Sequence, residues 1–296
     1  MRHTLLFLFL ALIGFSCTVN PNDEQHTEAL PYDPGIDPYI VVLGIAQDAG
    51  FPHAYCRRDC CKKAWVNPGI RKLVSCIALV DPSTGKSWMF DATPSFKYQS
   101  KYLSQDLNTE LDGIFLTHAH IGHYTGLMDL GREAVGSKDV PVYAMPKMKS
   151  YLENNGPWSQ LVSLNNIKLM PLNQDSTIIL GNNLQVTPFR VPHRDEYSET
   201  VGFEIKSATK SALFIPDINK WNIWERSIVE EIQKVDYAFL DGSFYANGEL
   251  PNRDMSEIPH PFVEESMALF DTLSRADKNK VHFIHFNHTI RQLVTA

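Results

Sequence analysis

The chain has 296 residues, 44% hydrophobic and 21% charged, a composition that excludes a disordered chain. A formal net charge of −7 leaves no excess of Lys and Arg to displace counterions, so nucleic acid is not expected as a high-affinity partner. The length fits one large α/β or sandwich domain with a sizeable core.

In chain order the first element is an export signal. "MRHTLLFLFLALIGFSC" carries Arg2 and His3, then an apolar run from Leu5 to Ile13. The run is short for a bilayer span and suits the core of a signal peptide. Cys17, after Gly14-Phe15-Ser16, resembles a bacterial lipoprotein processing site, although Gly14 stands where an aliphatic residue is usual. That resemblance implies an exported lipoprotein, periplasmic or outer-membrane anchored, with the membrane as partner through a lipid on Cys17. The alternative is a plain secretory signal cut near Ser16. From residue 17 to 38 the chain is polar and carries Pro21, Pro31, Pro34 and Pro38, which reads as a tether. The division is then residues 1–16 signal peptide, 17–38 tether and 39–296 domain.

Strand-like and turn-like pieces come next. "YIVVLGIA", "VSCIALV" and "SWMFDA" are rich in β-branched and aromatic residues and read as strands. "DPSTGK" (81–86) between the last two reads as a hairpin loop. "LDGIFLTH", "PVYAM", "STIIL", "LQVTPFRV", "TVGFEI" and "SALFIPD" continue the pattern at short spacing. Helices are expected over Ser95–Leu107, Met145–Asn154, Trp221–Lys234 and Pro261–Ser274. The sum is one α/β domain, dominated by antiparallel sheet, with helices outside.

"LTHAHIGHYTGL" places His118, His120 and His123 within six residues at the end of an apolar strand. Strand periodicity of two puts His118 and His120 on one side if the chain is still extended. Two imidazoles side by side at a strand end form a metal-ligand pair. Gly122 and Gly126 suit the turn after the strand.

These residues resemble the metallo-β-lactamase family, whose signature is T-H-x-H-x-D-H. The resemblance implies an αββα sandwich, two sheets face to face with helices outside and metals at one edge. It continues along the chain: "VPHRDEYSETVGFEI" implies His193 as the next ligand, "LFIPDI" implies Asp217 as a bridging carboxylate, and "VHFIHFNH" implies His285 as the last. The departure is Gly122, where most members carry a metal-binding Asp. The first metal keeps His118, His120, His193 and Asp217. The second keeps His123, His285 and the shared Asp217. Either water fills the missing arm of a dinuclear site, or one tight metal works alone. Asp91, ending "WMFDA", resembles the strand-end Asp that supports a metal-binding histidine.

A narrower resemblance, to the pyrroloquinoline-quinone synthesis protein B family and to a cyclic phosphodiesterase branch, rests on "GIAQDAGFPHAYCRRDCCKKAW", "FDATPSFKYQ" and "LDGSFY". In those families three cysteines and a late histidine hold a structural zinc. The candidates here are Cys56, Cys60 and Cys61 with His288, although C-x3-C-C differs from the relatives' C-x-C-x2-C. His285 and His288, three apart, are assigned to the active site and to the cysteines respectively. Disulfide chemistry is the rival, since an exported chain meets an oxidising compartment. Cys76, inside a strand, reads as a buried small hydrophobe.

The resemblance implies a hydrolase using a metal-bound hydroxide. Asp217 would orient the hydroxide, and His260, in "EIPHPF", would protonate the leaving group. The active-site ion is one or two Zn2+, with Mn2+ or Fe2+ as alternatives, beside one structural Zn2+. The substrate is a small molecule, a phosphodiester or cyclic phosphodiester ahead of a lactone or β-lactam. A mononuclear iron oxidoreductase is the rival enzyme class, and a non-catalytic binding lipoprotein the other rival.

Overall fold

Strand after strand buries alternate side chains in two different layers, the signature of a sheet covered on both faces. In β2 (Cys76–Asp81) Cys76, Ala78 and Val80 join one core, while Ile77 and Leu79 join another. In β3 (Lys86–Phe90) Met89 faces the first core, and Trp88 and Phe90 the second. The structure is a computed structural model that describes residues 37–290, apart from Asn252 and the Asn182 side chain. The expected signal peptide, the lipidation site Cys17 and most of the tether lie outside the described residues. Among the described residues no helix is long and apolar enough to cross a membrane.

Two six-stranded sheets stack face to face. The first has the order β1 (Tyr39–Gly44), β2, β3, β4 (Glu110–Phe115), β5 (Val140–Ala144), β6 (Ile167–Pro171). The second runs from β12 (Val281–Ile284) through β11 (Tyr237–Asp241), β10 (Ser211–Ile215), β9 (Val201–Lys206) and β8 (Gln185–Arg190) to β7 (Ile178–Ile179). Their inner faces meet in an aromatic layer. Phe90 lies parallel to Phe115 with centroids 5.2 Å apart and meets Phe203 and Phe214 edge-on at 5.4 and 6.0 Å. Truncating a buried ring of this kind costs about 3–5 kcal/mol. Helices cover the outer faces: Met148 and Leu152 of α4 (Pro146–Asn154) pack on the first sheet, Ile228 and Ile232 of α6 (Ile228–Gln233) on the second. This is the expected αββα sandwich.

Four expectations about elements need correction. Antiparallel pairing does not dominate: β1–β2, β2–β3, β7–β8, β8–β9 and β9–β10 are antiparallel, but β3–β4, β4–β5, β5–β6, β10–β11 and β11–β12 are parallel. Parallel neighbours need long crossovers, and the helices supply them. The Trp221–Lys234 helix is broken. A single 3-10 turn spans Trp221–Ile223, and α6 starts only at Ile228, capped by the Ser227 side chain, which accepts from Glu230 N–H. Trp221 and Trp224 are both buried in the core beneath. The Pro261–Ser274 helix shortens to α7 (Val263–Leu269) and a 3-10 turn over Phe270–Thr272, and the Ser95–Leu107 helix is α2 (Phe96–Lys101) widening into a π turn over Tyr102–Asp106. The 81–86 hairpin forms as expected, with Gly85 at φ +67° and its N–H donated to Asp81 O over 3.0 Å.

Candidate metal centre

The pairing directions align β1, β3 and β4 in the first sheet and β8, β10, β11 and β12 in the second, and residues that follow these strands gather at one edge of the sandwich. The residues just past those ends form the site. His118 and His120 follow β4, and His123 lies on the short helix α3 (Ile121–Tyr124). His193 follows β8, Asp217 follows β10, and His285 follows β12. One atom each from His118, His120, His193 and Asp217 lie within 4.8 Å of one another. His118 Nε2 is 2.8 Å from His120 Nδ1 and 3.3 Å from Asp217 Oδ2. His193 Nε2 is 3.2 Å from the same carboxylate oxygen.

The outer nitrogens of these rings are engaged. His118 Nδ1 lies 2.9 Å from Thr117 Oγ1 and His193 Nδ1 3.0 Å from Asn219 Oδ1. His285 Nδ1 lies 2.8 Å from Ser243 Oγ, and His123 Nδ1 2.7 Å from Asp91 Oδ2. Assigning the proton to Nδ1 in each case leaves every Nε2 lone pair facing inward. The Nε2 atoms of His123, His193 and His285 are buried and have no hydrogen-bond partner. Unpartnered buried nitrogens aimed at common points are what a metal site needs and what a packed core avoids. Burial, with the neighbouring His123, holds His118 well below the usual histidine range, which favours the neutral ring that binds a metal.

Beside this group sits a second. Asp91, with φ +73° at the end of β3, accepts from Thr117 N–H at 2.8 Å and from Thr117 Oγ1 at 2.9 Å as well as from His123. His123 Nε2 and His285 Nε2 each lie 3.5 Å from Oδ1 of Asp48, a residue of the loop after β1. His123 Nε2 is also 3.9 Å from Asp217 Oδ2. Burial opposes a charge on His123, but Asp91 and Asp48 outweigh it and hold its pKa well above the usual range, so this position attracts a cation. Burial likewise opposes the charge on Asp48, and His123 and His285 outweigh it, keeping the carboxyl well below its usual range. The Asp48 side chain occupies the space above Gly122, the residue that stands where most members carry a metal-binding Asp.

His260 reaches the site. Its Nδ1 is 2.8 Å from Asp241 Oδ2 at the end of β11 and 3.1 Å from Asp217 Oδ1. Burial opposes its charge, but Asp241 and then Asp217 prevail and raise its pKa to about 10. Asp217 is the mirror case: burial opposes its charge, and His193 and His260 hold it well below the usual carboxylate range.

The cysteines gather away from this pocket. Cys60 and Cys61 open the helix α1 (Asp59–Val66), and their sulfurs lie 4.0 Å apart, with Cys56 Sγ 3.9 Å from Cys60 Sγ. Tetrahedral zinc with Zn–S near 2.3 Å sets sulfurs about 3.8 Å apart. All three thiols are free, so the disulfide alternative is not what the structure holds. His288 completes the group, with its Nδ1 buried and unpartnered. A left-handed φ of +62° at His285 turns the chain between the two histidines, so His285 enters the first pocket and His288 the cysteines. Cys76 is fully buried in the first core, as expected of a small hydrophobe.

Sequence reasoning missed Asp48, Asp241, Asn219 and Ser243. Asp241 and Ser243 lie in "LDGSFY" and Asp48 in "GIAQDAGFPHAYCRRDCCKKAW", both quoted for the resemblance but without a role for these residues, while Asn219 lies in no quoted segment.

A family model described as a beta-lactamase superfamily domain matches residues 79–286. Coenzyme PQQ synthesis protein B of Acinetobacter baylyi is 24% identical over 282 residues, covering 84% of this chain and 90% of that protein. Zn2+-bound PqqB from Methylobacterium extorquens superposes with a TM-score of 0.70 at 21% identity, over 86% of this chain and 91% of that one. A diphosphatase from the PhnP family superposes with a TM-score of 0.58, also at 21% identity, over 86% and 87%. With the motif match spanning most of the sandwich and the histidines standing at its edge, the chain belongs to the beta-lactamase superfamily.

Proposed function

We propose that this protein is a metal-dependent hydrolase whose substrate is a phosphodiester or cyclic phosphodiester. The observation that carries the reading is the pair of adjoining donor groups at one sandwich edge, with Asp217 Oδ2 within reach of both. His118, His120, His193 and Asp217 would hold one ion, and His123 and His285 with the shared Asp217 a second. Nitrogen-rich sets of this kind suit zinc, with manganese or iron as alternatives. Divalent ions held there would make a hydroxide nucleophile available near neutral pH and would stabilise the charge that develops in hydrolysis at phosphorus.

The chain's own residues do the rest. Thr117, Asp91, Asn219 and Ser243 fix the ring orientations, so the donor set is preorganised. Asp217 directs Oδ2 toward the donors, while its Oδ1 lies 3.1 Å from His260 Nδ1, whose hydrogen bond goes to Asp241 Oδ2. His260, held charged between Asp241 and Asp217, carries a second N–H at Nε2, and that proton is the one assigned to the leaving group. The likeness to a diphosphatase supports a phosphorus centre over a lactone or β-lactam carbonyl. The Asp48 carboxylate beside His123 and His285 supports a two-metal hydrolase over a mononuclear iron oxidoreductase. Cys56, Cys60, Cys61 and His288 would hold one structural zinc. The same reading makes the protein an exported lipoprotein, anchored through Cys17 in the periplasm or at the outer membrane.

Hydrolysis of phosphodiester, cyclic phosphodiester, phosphomonoester, lactone and β-lactam probes by protein of measured metal content tests this. Phosphodiester turnover that disappears on chelation and in His118→Ala and His120→Ala is expected. Turnover of the lactone or β-lactam probes alone would overturn the substrate class, and oxygen consumption by an iron-loaded protein would overturn the hydrolase reading.

A further inference from the structure

We propose that Asp48 is the carboxylate ligand of the second metal position, transposed from the histidine motif to the loop after β1, and that residue 122 is glycine to make room for it. The inference rests on the reading of the pocket as a metal centre and adds a ligand that the motif does not contain.

Three observations carry it. The first is steric. A Cβ at residue 122 would overlap Asp48 Oδ1 and lie 2.7 Å from Asp48 Cγ and 2.8 Å from Asp48 Cα. Gly122 lies on α3 and is not among the glycines with positive φ, so its backbone would accept any L residue. Space, and not conformation, is what demands glycine there.

The second is the donor geometry. Asp48 Oδ1 stands 3.5 Å from His123 Nε2 and 3.5 Å from His285 Nε2, and all three atoms are buried without a hydrogen-bond partner. Metal–ligand bonds near 2.0–2.1 Å in tetrahedral array set donors about 3.4 Å apart. Asp48, His123 and His285 each offer an atom within 4.8 Å of the others, and Asp217 Oδ2 stands beside this group, 3.9 Å from His123 Nε2. The group then holds two imidazoles and the carboxylate that the motif itself lacks.

The third is anchoring. The Asp48 loop is pinned to the segment that carries His285. Gln47 N–H donates to Phe286 O at 2.8 Å, Phe286 N–H donates to Ile45 O at 2.8 Å, and Asn287 Nδ2 donates to Gln47 Oε1 at 2.6 Å. Gly50, at φ +72°, closes the turn with its N–H on Gln47 O at 2.7 Å. The carboxylate is thus held in place before any metal arrives, as a ligand should be.

The test transposes the carboxylate back. Zinc-loaded wild type, Asp48→Asn, Asp48→Gly and the double variant Asp48→Gly with Gly122→Asp are compared for bound zinc by mass spectrometry and for affinity by competition with a chelator, with folding followed by circular dichroism. Asp48→Asn is expected to lower second-position affinity at least about tenfold, since even an outer partner of a ligand is worth 10–100-fold. It should leave the first position and the cysteine site loaded, and the double variant should recover the equivalent that Asp48→Gly loses. Asp48→Asn that keeps that equivalent at wild-type affinity would overturn the proposal, whether or not the double variant folds. Wild type that loads only the cysteine site would instead overturn the reading of the pocket itself.

Discussion

Asp91→Asn removes one charge and keeps the shape, and its effect can be worked from the hydrogen bonds around Asp91. Oδ1 accepts the Thr117 N–H at 2.8 Å, and Oδ2 accepts the His123 Nδ1–H at 2.7 Å. Both partners are donors, and an amide has one acceptor. If the amide oxygen stays on Thr117 N–H, the NH2 group faces His123 Nδ1. The ring must then take the other tautomer, with its proton on Nε2, pointing at the second metal position. That proton competes with the metal, and a lost outer partner of this kind lowers affinity about 10–100-fold, or about 1.4–2.7 kcal/mol at ~1.4 kcal/mol per decade. If the amide turns the other way, His123 is satisfied and the Thr117 N–H is orphaned in a fully buried site, at about 1–3 kcal/mol of folding stability. Calorimetric metal titration and urea unfolding of the same variant separate these two branches. The first-position histidines do not touch Asp91, so their metal should bind within a few-fold of wild type. A variant with wild-type affinity at both positions and an unchanged unfolding midpoint would refute the argument that Asp91 sets the tautomer of His123.

Two further outcomes are expected. Burial first, then the neighbouring thiols, pushes Cys60 up and Cys61 up to about 12, while burial and His53 hold His288 down at about 4. Zinc uptake at the cysteine site should therefore release at least two protons, both from thiols and none from His288, and affinity should fall about 100-fold or more per pH unit as pH drops through neutrality; indicator-dye titration that finds one proton or none would show that Cys60 and Cys61 do not both bind as thiolates. Mass spectrometry of the mature protein should find a lipidated Cys17 at its N-terminus, and an unmodified terminus, or one at another residue, would sink the lipoprotein reading.

Much of the site was legible because it is local. His118, His120 and His123 stand within six residues, where strand and turn geometry decide which way a side chain points, and the local sequence suffices. The unbroken apolar run of β2 likewise suits a strand covered on both faces, since burial on either side leaves no polar face. The expected separation of His285 from His288 rested on a chain leaving a strand being able to send two such side chains to different sites, and the two rings do fall in different donor groups.

What tertiary structure alone decided are the relations between distant segments. Strand pattern does not state a strand's neighbour, so β3–β4 and β10–β11 read as ordinary strands and turn out to pair in parallel through helices. "NIKLMP" and "DYAFLD" became β6 and β11 because partners stood beside them, and the Trp221 helix gives way to a 3-10 turn with a new start at Ile228, capped by Ser227. Gly122 is the sharpest case. Within its own motif a glycine in place of a carboxylate reads as a loss. In three dimensions the Asp48 carboxylate, 74 residues earlier in the chain, stands in the space that the glycine leaves. A metal position is defined by where lone pairs converge, and that convergence is a property of the folded chain.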